Sequence, residues 1–287
     1  MSAPPYRTGF AIWSFKGWAG SFYPHGATSD DFLKLYSQRV TAVEGNTTFY
    51  ATPGVSTVQK WASQVPEGFR FCPKLPRDVT HAGALRPMLP QALAFLERMQ
   101  LLGQNLGPCF VQLPPTYGPE MLGDLANFLG PWPRQQARVV VEVRHPAWFR
   151  EPHASSLRKL LDNLGVGRVT LDTRPIYEAD PDRPVFQSRP KPYLPLALDV
   201  TASLAFVRFI THPEPRFNVP YIKEWVRRVD QWLEAGTEVY FFVHCPDDTH
   251  SPGTMRDFHG QLLERGAPVE PLPWSTIPDP PSQLKLF

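Results

Sequence analysis

Cysteine is scarce. The 287 residues hold three, Cys72, Cys109 and Cys245, with no paired spacing. That argues against a disulfide framework and against a thiolate zinc site, and it suits a reducing cytoplasm. Long apolar runs are missing too, so no membrane span is expected. The first seven residues lack an apolar signal core, and no secretory leader is expected. Neither sign of charge dominates: 29 Lys plus Arg face 27 Asp plus Glu. Bulk charge therefore speaks neither for nor against a nucleic-acid partner. No glycine-rich nucleotide turn occurs, which counts against a doubly wound open sheet. No short-spaced metal signature such as H-E-x-x-H occurs either.

Proline and apolar residues are plentiful. The 34 prolines gather at the ends of apolar segments and in two stretches, as loop punctuation does. A hydrophobic fraction of 42% supplies a sizeable core. Eight segments read as strands: residues 9–13, 42–50, 69–74, 109–113, 138–144, 168–172, 205–209 and 238–244. Helical patterns lie between them, at 29–36, from a Ser56 cap through 65, and at 87–102, 120–129, 155–164, 219–235 and 254–266. Eight strands alternating with about seven helices predict an α/β protein, a (β/α)8 TIM-like barrel. It forms a single domain over residues 1–266. An irregular, proline-rich connection at 173–200 separates strands six and seven. A long loop of this kind inside a compact domain is usually functional or poorly ordered.

Active sites of such barrels lie at the C-terminal ends of the strands. Strand two carries Glu44, Asn46 and Thr48 at alternate positions, hence on one face. Lys74, Gln112, Glu142 with Arg144, Asp172, Arg208 and His244 stand late in the following strands. A polar side chain at so many strand ends exceeds what core packing asks for. The competing reading is a set of internal ion pairs that only fixes the barrel, although buried pairs are rarely a net gain in stability.

The run Val43-Glu44-Gly45-Asn46-Thr47-Thr48-Phe49-Tyr50 resembles a Val-Glu-x-Asn-x-Thr-Phe-Tyr block. Further blocks follow in order: Phe22-Tyr23-Pro24, Trp61 with Pro66, Lys74-Leu75-Pro76, Thr80-His81, Gln112-Leu113-Pro114-Pro115, and Glu142-Val143-Arg144-His145 with Trp148. Together they are similar to the YecE-like family, a catalogued domain of unknown function, over about residues 7 to 266. The resemblance implies a TIM-like barrel with a pocket at the strand ends, and no agreed reaction. Strand eight departs from it. Many relatives are expected to carry an Asn-Asn pair where His244-Cys245-Pro246-Asp247-Asp248 stand here.

The residues themselves suggest a chemistry. Lys74, Arg144 and Arg208 suit an anionic group. Glu44 and Glu142 suit a general acid–base pair. Trp13, Phe49, Tyr50 and Trp148 lie in or beside the top loops and suit stacking on a ring. Asn46, Gln112, Asp172 and His244 complete the expected binding set. The leading expectation is a hydrolase of a phosphate-containing or nucleic-acid-derived substrate. The alternatives are a non-catalytic anion-binding barrel and, from the two carboxylates alone, a glycosidase. No cofactor is expected. A divalent metal would draw on Glu44, Glu142, Asp172, His145 and His244.

Residues 267–287 change character. Prolines at 268, 271, 273, 278, 280 and 281 suggest an extended spacer. It ends in Gln283-Leu284-Lys285-Leu286-Phe287, which resembles the peptide by which bacterial repair and replication proteins bind the sliding clamp. In that reading Gln283, Leu284, Leu286 and Phe287 contact the clamp. The competing reading has Leu286 and Phe287 fold back onto the barrel.

Overall fold

A computed structural model describes residues 5–179, 185 and 190–277. Eight parallel strands form its centre: β1 Tyr6–Gly9, β2 Ala42–Gly45, β3 Arg70–Pro73, β4 Cys109–Gln112, β5 Val139–Glu142, β6 Gly167–Asp172, β7 Leu204–Ile210 and β8 Glu238–His244. Six pair continuously in the order β1-β8-β7-β6-β5-β4, and β2 pairs with β3. Backbone hydrogen bonds close the two seams between these groups. Thr41 N donates to Thr8 O at 3.1 Å and Glu44 N to Phe10 O at 3.0 Å across β1–β2. Gly107 N donates to Phe71 O at 2.7 Å and Leu75 N to Phe110 O at 2.9 Å across β3–β4. The sheet is thereby a closed barrel without an open edge.

Each seam has a glycine where the chains come closest. A Cβ on Gly9 would lie 1.9 Å from Ala42 O, and one on Gly107 would lie 2.9 Å from both Cys72 Sγ and Phe71 O. The Tyr36 hydroxyl clamps the first seam. It accepts from Phe10 N at 2.7 Å and donates to Ala42 O at 3.0 Å.

The α-helices of six or more residues are α1 Phe32–Ser37, α2 Val55–Gln64, α3 Leu89–Met99, α4 Leu122–Leu129, α5 His153–Leu164, α6 Val219–Glu234 and α7 Ser251–Arg265. On α6 the buried residues Ile222, Trp225, Val226, Val229 and Leu233 keep the helical period, and this stripe faces the barrel. Helix α2 begins after Gly54, so Ser56 falls within its first turn and does not cap it. The core has two parts, as the strand period dictates. Val139, Val141 and Val143 belong to the shell between barrel and helices. Val140, Val169, Phe206, Tyr240 and Phe242 fill the barrel interior.

Strand two is shorter than the sequence suggests. It ends at Gly45, and Thr47–Tyr50 forms a helical turn. Thr48 therefore does not share a face with Glu44. Its hydroxyl bonds Gly45 O at 2.8 Å and Lys74 O at 2.6 Å, stitching the ends of β2 and β3. The barrel body also runs past residue 266. Leu272 is buried, and Trp274 packs edge-on against Phe22 with ring centres 4.9 Å apart. Gln283, Leu284, Leu286 and Phe287 lie outside the described residues.

Candidate functional site

The polar residues at the strand ends follow from the two-residue pleat. Glu44, Lys74, Gln112, Glu142, Arg208 and His244 each stand two positions beyond an inward apolar residue: Ala42, Cys72, Phe110, Val140, Phe206 and Phe242 respectively. All six point inward as one polar layer above the apolar plug, and all are buried.

Arg208 is the hub. Its Nε and Nη2 donate to Glu44 Oε2 and Oε1 at 2.8 and 2.9 Å, and its Nη1 donates to Glu142 Oε2 at 2.7 Å. Arg144 lies beyond the end of β5. It donates through Nε to Glu142 Oε1 at 2.5 Å and through Nη2 to Gln112 Oε1 at 2.7 Å. Lys74 Nζ donates to the same Gln112 oxygen at 2.7 Å and stands 4.1 Å from the centre of the Phe49 ring. Among the described residues no carboxylate oxygen lies within 4.0 Å of Lys74 Nζ, whereas Arg208 and Arg144 are both ion-paired. His244 Nε2 is 3.0 Å from Glu44 Oε2.

These contacts set the protonation states. Burial alone would raise the Glu142 pKa, but Arg144, Arg208 and Lys74 together bring it down to about 2. Against the same burial, Arg208 and His244 hold Glu44 well below the usual carboxylate range. Both carboxylates are ionised at neutral pH. Burial, reinforced by Arg208, outweighs the pull of Glu44 on His244 and lowers the imidazole to about 4. A neutral His244 must donate Nε2–H to Glu44, which leaves Nδ1 as the acceptor. Burial and then Arg208 lower Lys74 to about 7.

A cavity of about 290 Å³ opens above this layer. Lys74, Arg208 and His244 form part of its wall, with Asn46, Tyr50 and Ile210 around them. Lys191 and Asp248 also line it, and sequence reasoning missed both. Lys191 comes from the irregular β6–β7 connection, where no periodicity signals direction; Asp248 lies beyond the end of β8. Burial and Arg208 lower Lys191 to about 8, and burial raises Asp248 to about 6. Cys245 lines the same cavity, but burial pushes its thiol up to about 11, so it is not an activated nucleophile.

Three residues expected here are elsewhere. Asp172 is one position off the inward period of β6, where Val169 and Leu171 point in. It faces outward, accepting from Trp225 Nε1 at 2.7 Å and from Arg174 Nη2 at 2.9 Å. Trp148 is wholly buried in the outer shell, with Nε1 donating to Tyr117 O at 2.8 Å. Trp13 packs edge-on against Trp61 and Phe71. Of the aromatic set, Tyr50 lines the pocket, and Phe49 backs Lys74. Of the residues offered as metal ligands, Glu44, Glu142 and His244 share the polar layer, and the other two stand apart from it. His145 is turned to Ala147 N, Asp172 faces α6, and both glutamates are held by Arg208. Among the described residues no group of three or more His, Cys, Asp or Glu could hold a metal ion.

Fold and site define a TIM-like barrel with a buried ionic layer and a cation-rich pocket at its strand ends. A family model described as "Protein of unknown function DUF72" matches residues 7–277, and the chain belongs to that family. Over 286 residues it is 34% identical to the UPF0759 protein YecE of Escherichia coli K12, covering 97% of this chain and 98% of that one. The family is the one the sequence blocks resemble. Solved DUF72 family proteins share the fold. One from Enterococcus faecalis V583 has a TM-score of 0.67 at 17% identity, covering 97% of this chain and 99% of that chain. One from Thermotoga maritima MSB8 has a TM-score of 0.66 at 20% identity, covering 90% and 99%. Among the described residues no helix is long and apolar enough to cross a membrane.

Proposed function

We propose that this pocket takes the phosphate of a small phosphate-bearing or nucleic-acid-derived ligand. Charge balance carries the reading. Four cations, Lys74, Arg144, Lys191 and Arg208, gather with two carboxylates, Glu44 and Glu142, and guanidinium groups already engage both carboxylates. Asp248 at the cavity wall offsets one of the excess charges. Among the described residues Lys74 is then left facing the cavity without a carboxylate in contact. An anion placed there restores balance beside side chains that are themselves buried.

Hydrolysis of the bound ester is the reaction class the residue set suggested at the outset. The geometry supports the binding half of that reading more than its acid–base half. Glu44 and Glu142 are too firmly ionised to give up protons near neutrality. In our reading they act through what they hold: Glu142 positions Arg144, and Glu44 orients His244 as a neutral acceptor. A phosphorus NMR titration with a nucleoside monophosphate tests the proposal. The expected result is a saturable shift in the unaltered chain that Lys74→Met abolishes. Unshifted resonances at millimolar ligand would overturn it.

A further inference from the structure

A lysine that served only to balance charge would rest against a carboxylate. Lys74 rests instead on the face of Phe49, 4.1 Å from its centre, with Phe110 at 5.5 Å. Its ammonium hydrogens meet the neutral amide oxygen of Gln112, at 2.7 Å. The side chain is 6% exposed, yet it lines the cavity. The amine is thus reachable from the cavity and shielded from bulk water. Its charged neighbours are Arg208 and Arg144, which disfavour its ammonium form, and Glu44 and Glu142, which favour it. Arg208 bonds both of those carboxylates, so neither is free to hold the ammonium. Burial and the guanidinium groups bring Lys74 to about 7, so a substantial share of free amine exists at neutral pH. Desolvation beside another cation is a recognised way to make a lysine nucleophilic.

We propose that Lys74 captures a carbonyl group, forming an imine with a small phosphate-bearing aldehyde or ketone. This rests on the reading of the pocket as an anion site and names the substrate class: in the imine-forming pose the phosphate sits against Lys191 and Arg208 on the same wall, and the carbonyl carbon faces the Lys74 amine. The Nζ lone pair attacks the carbonyl carbon, and the carbonyl oxygen takes up a proton. The carbinolamine then expels water. Overall, ammonium and carbonyl give a protonated imine and water, with no change in oxidation state. The iminium draws electrons from the adjacent carbon and eases loss of its proton. His244 lines the same cavity with one nitrogen tied to Glu44 and the other an acceptor.

Reductive trapping on the full chain tests this. Glycolaldehyde phosphate and cyanoborohydride are added at pH 7, and peptides are mapped by mass. The expected result is a reduced adduct on Lys74 that forms ahead of any on the other lysines. Excess sulfate suppresses it. Lys74→Arg, which keeps the charge, gives no adduct at that position but still gains thermal stability with sulfate. If other lysines are labelled ahead of Lys74 while sulfate still stabilises the chain, the imine is refuted and the anion site stands. If sulfate neither stabilises the chain nor alters labelling, both readings fall.

Discussion

Arg208 shows how one side chain sets the character of the barrel mouth. It is buried, and its three hydrogen bonds hold two buried carboxylates. Replacing it with methionine would strand the Glu44 charge and leave Glu142 to Arg144 alone, and breaking a buried pair costs about 3–5 kcal/mol. We expect Arg208→Met to lower the urea midpoint accordingly. Adding Glu44→Gln and Glu142→Gln to the same chain should return part of the loss, because the stranded charge is then gone. Lys74 gives a prediction of the opposite kind. Its pKa falls from 10.5 to about 7 on folding. Below pH 7 both states hold the proton, and the full cost of burying the charge is present. Between those values the folded chain releases the proton while the unfolded chain keeps it, so stability rises with pH. Lys191, lowered from 10.5 to about 8, acts in the same direction. Thermal melts from pH 7 to pH 9 should therefore climb without sulfate and flatten with it, since a bound anion keeps the lysines protonated.

At the scale of elements, strand alternation made most of the site legible. The eighth strand was read at residues 238–244 and is observed there. Glu44, Lys74, Gln112, Glu142, Arg208 and His244 all fall on the inward period. Asp172 misled because it too ends a strand, but it is one residue out of phase. Thr48 misled in another way: β2 stops at Gly45, and the helical turn that follows breaks the alternation, although Asn46 still lines the cavity. Lys191 was invisible because an irregular connection has no period to read. The seam glycines carry the element-scale prediction. Overpacking costs about 1–3 kcal/mol. Gly107→Ala should lie in that range by urea denaturation, and Gly9→Ala should cost more, because the new methyl meets a backbone carbonyl. Asp172→Asn is the control for the site. It should destabilise the chain by weakening the Trp225 and Arg174 contacts, while sulfate affinity measured by calorimetry stays unchanged.

For the molecule as a whole, the closed barrel does two jobs with one sheet. Its apolar interior fixes the strand ends, and the strand ends bring together charges that would repel one another in a looser frame. DUF72 family proteins at 17–20% identity share the fold, so the frame tolerates wide sequence change. The second job is what our functional account rests on, and sulfate tests it most directly because its charge does not change across the pH range of interest. Calorimetric titration at pH 7 should give saturable binding to the unaltered chain. Lys74→Met should weaken that binding at least about tenfold, equivalent to about 1.4 kcal/mol. No binding to the unaltered chain, or equal affinity in the two proteins, would contradict the account.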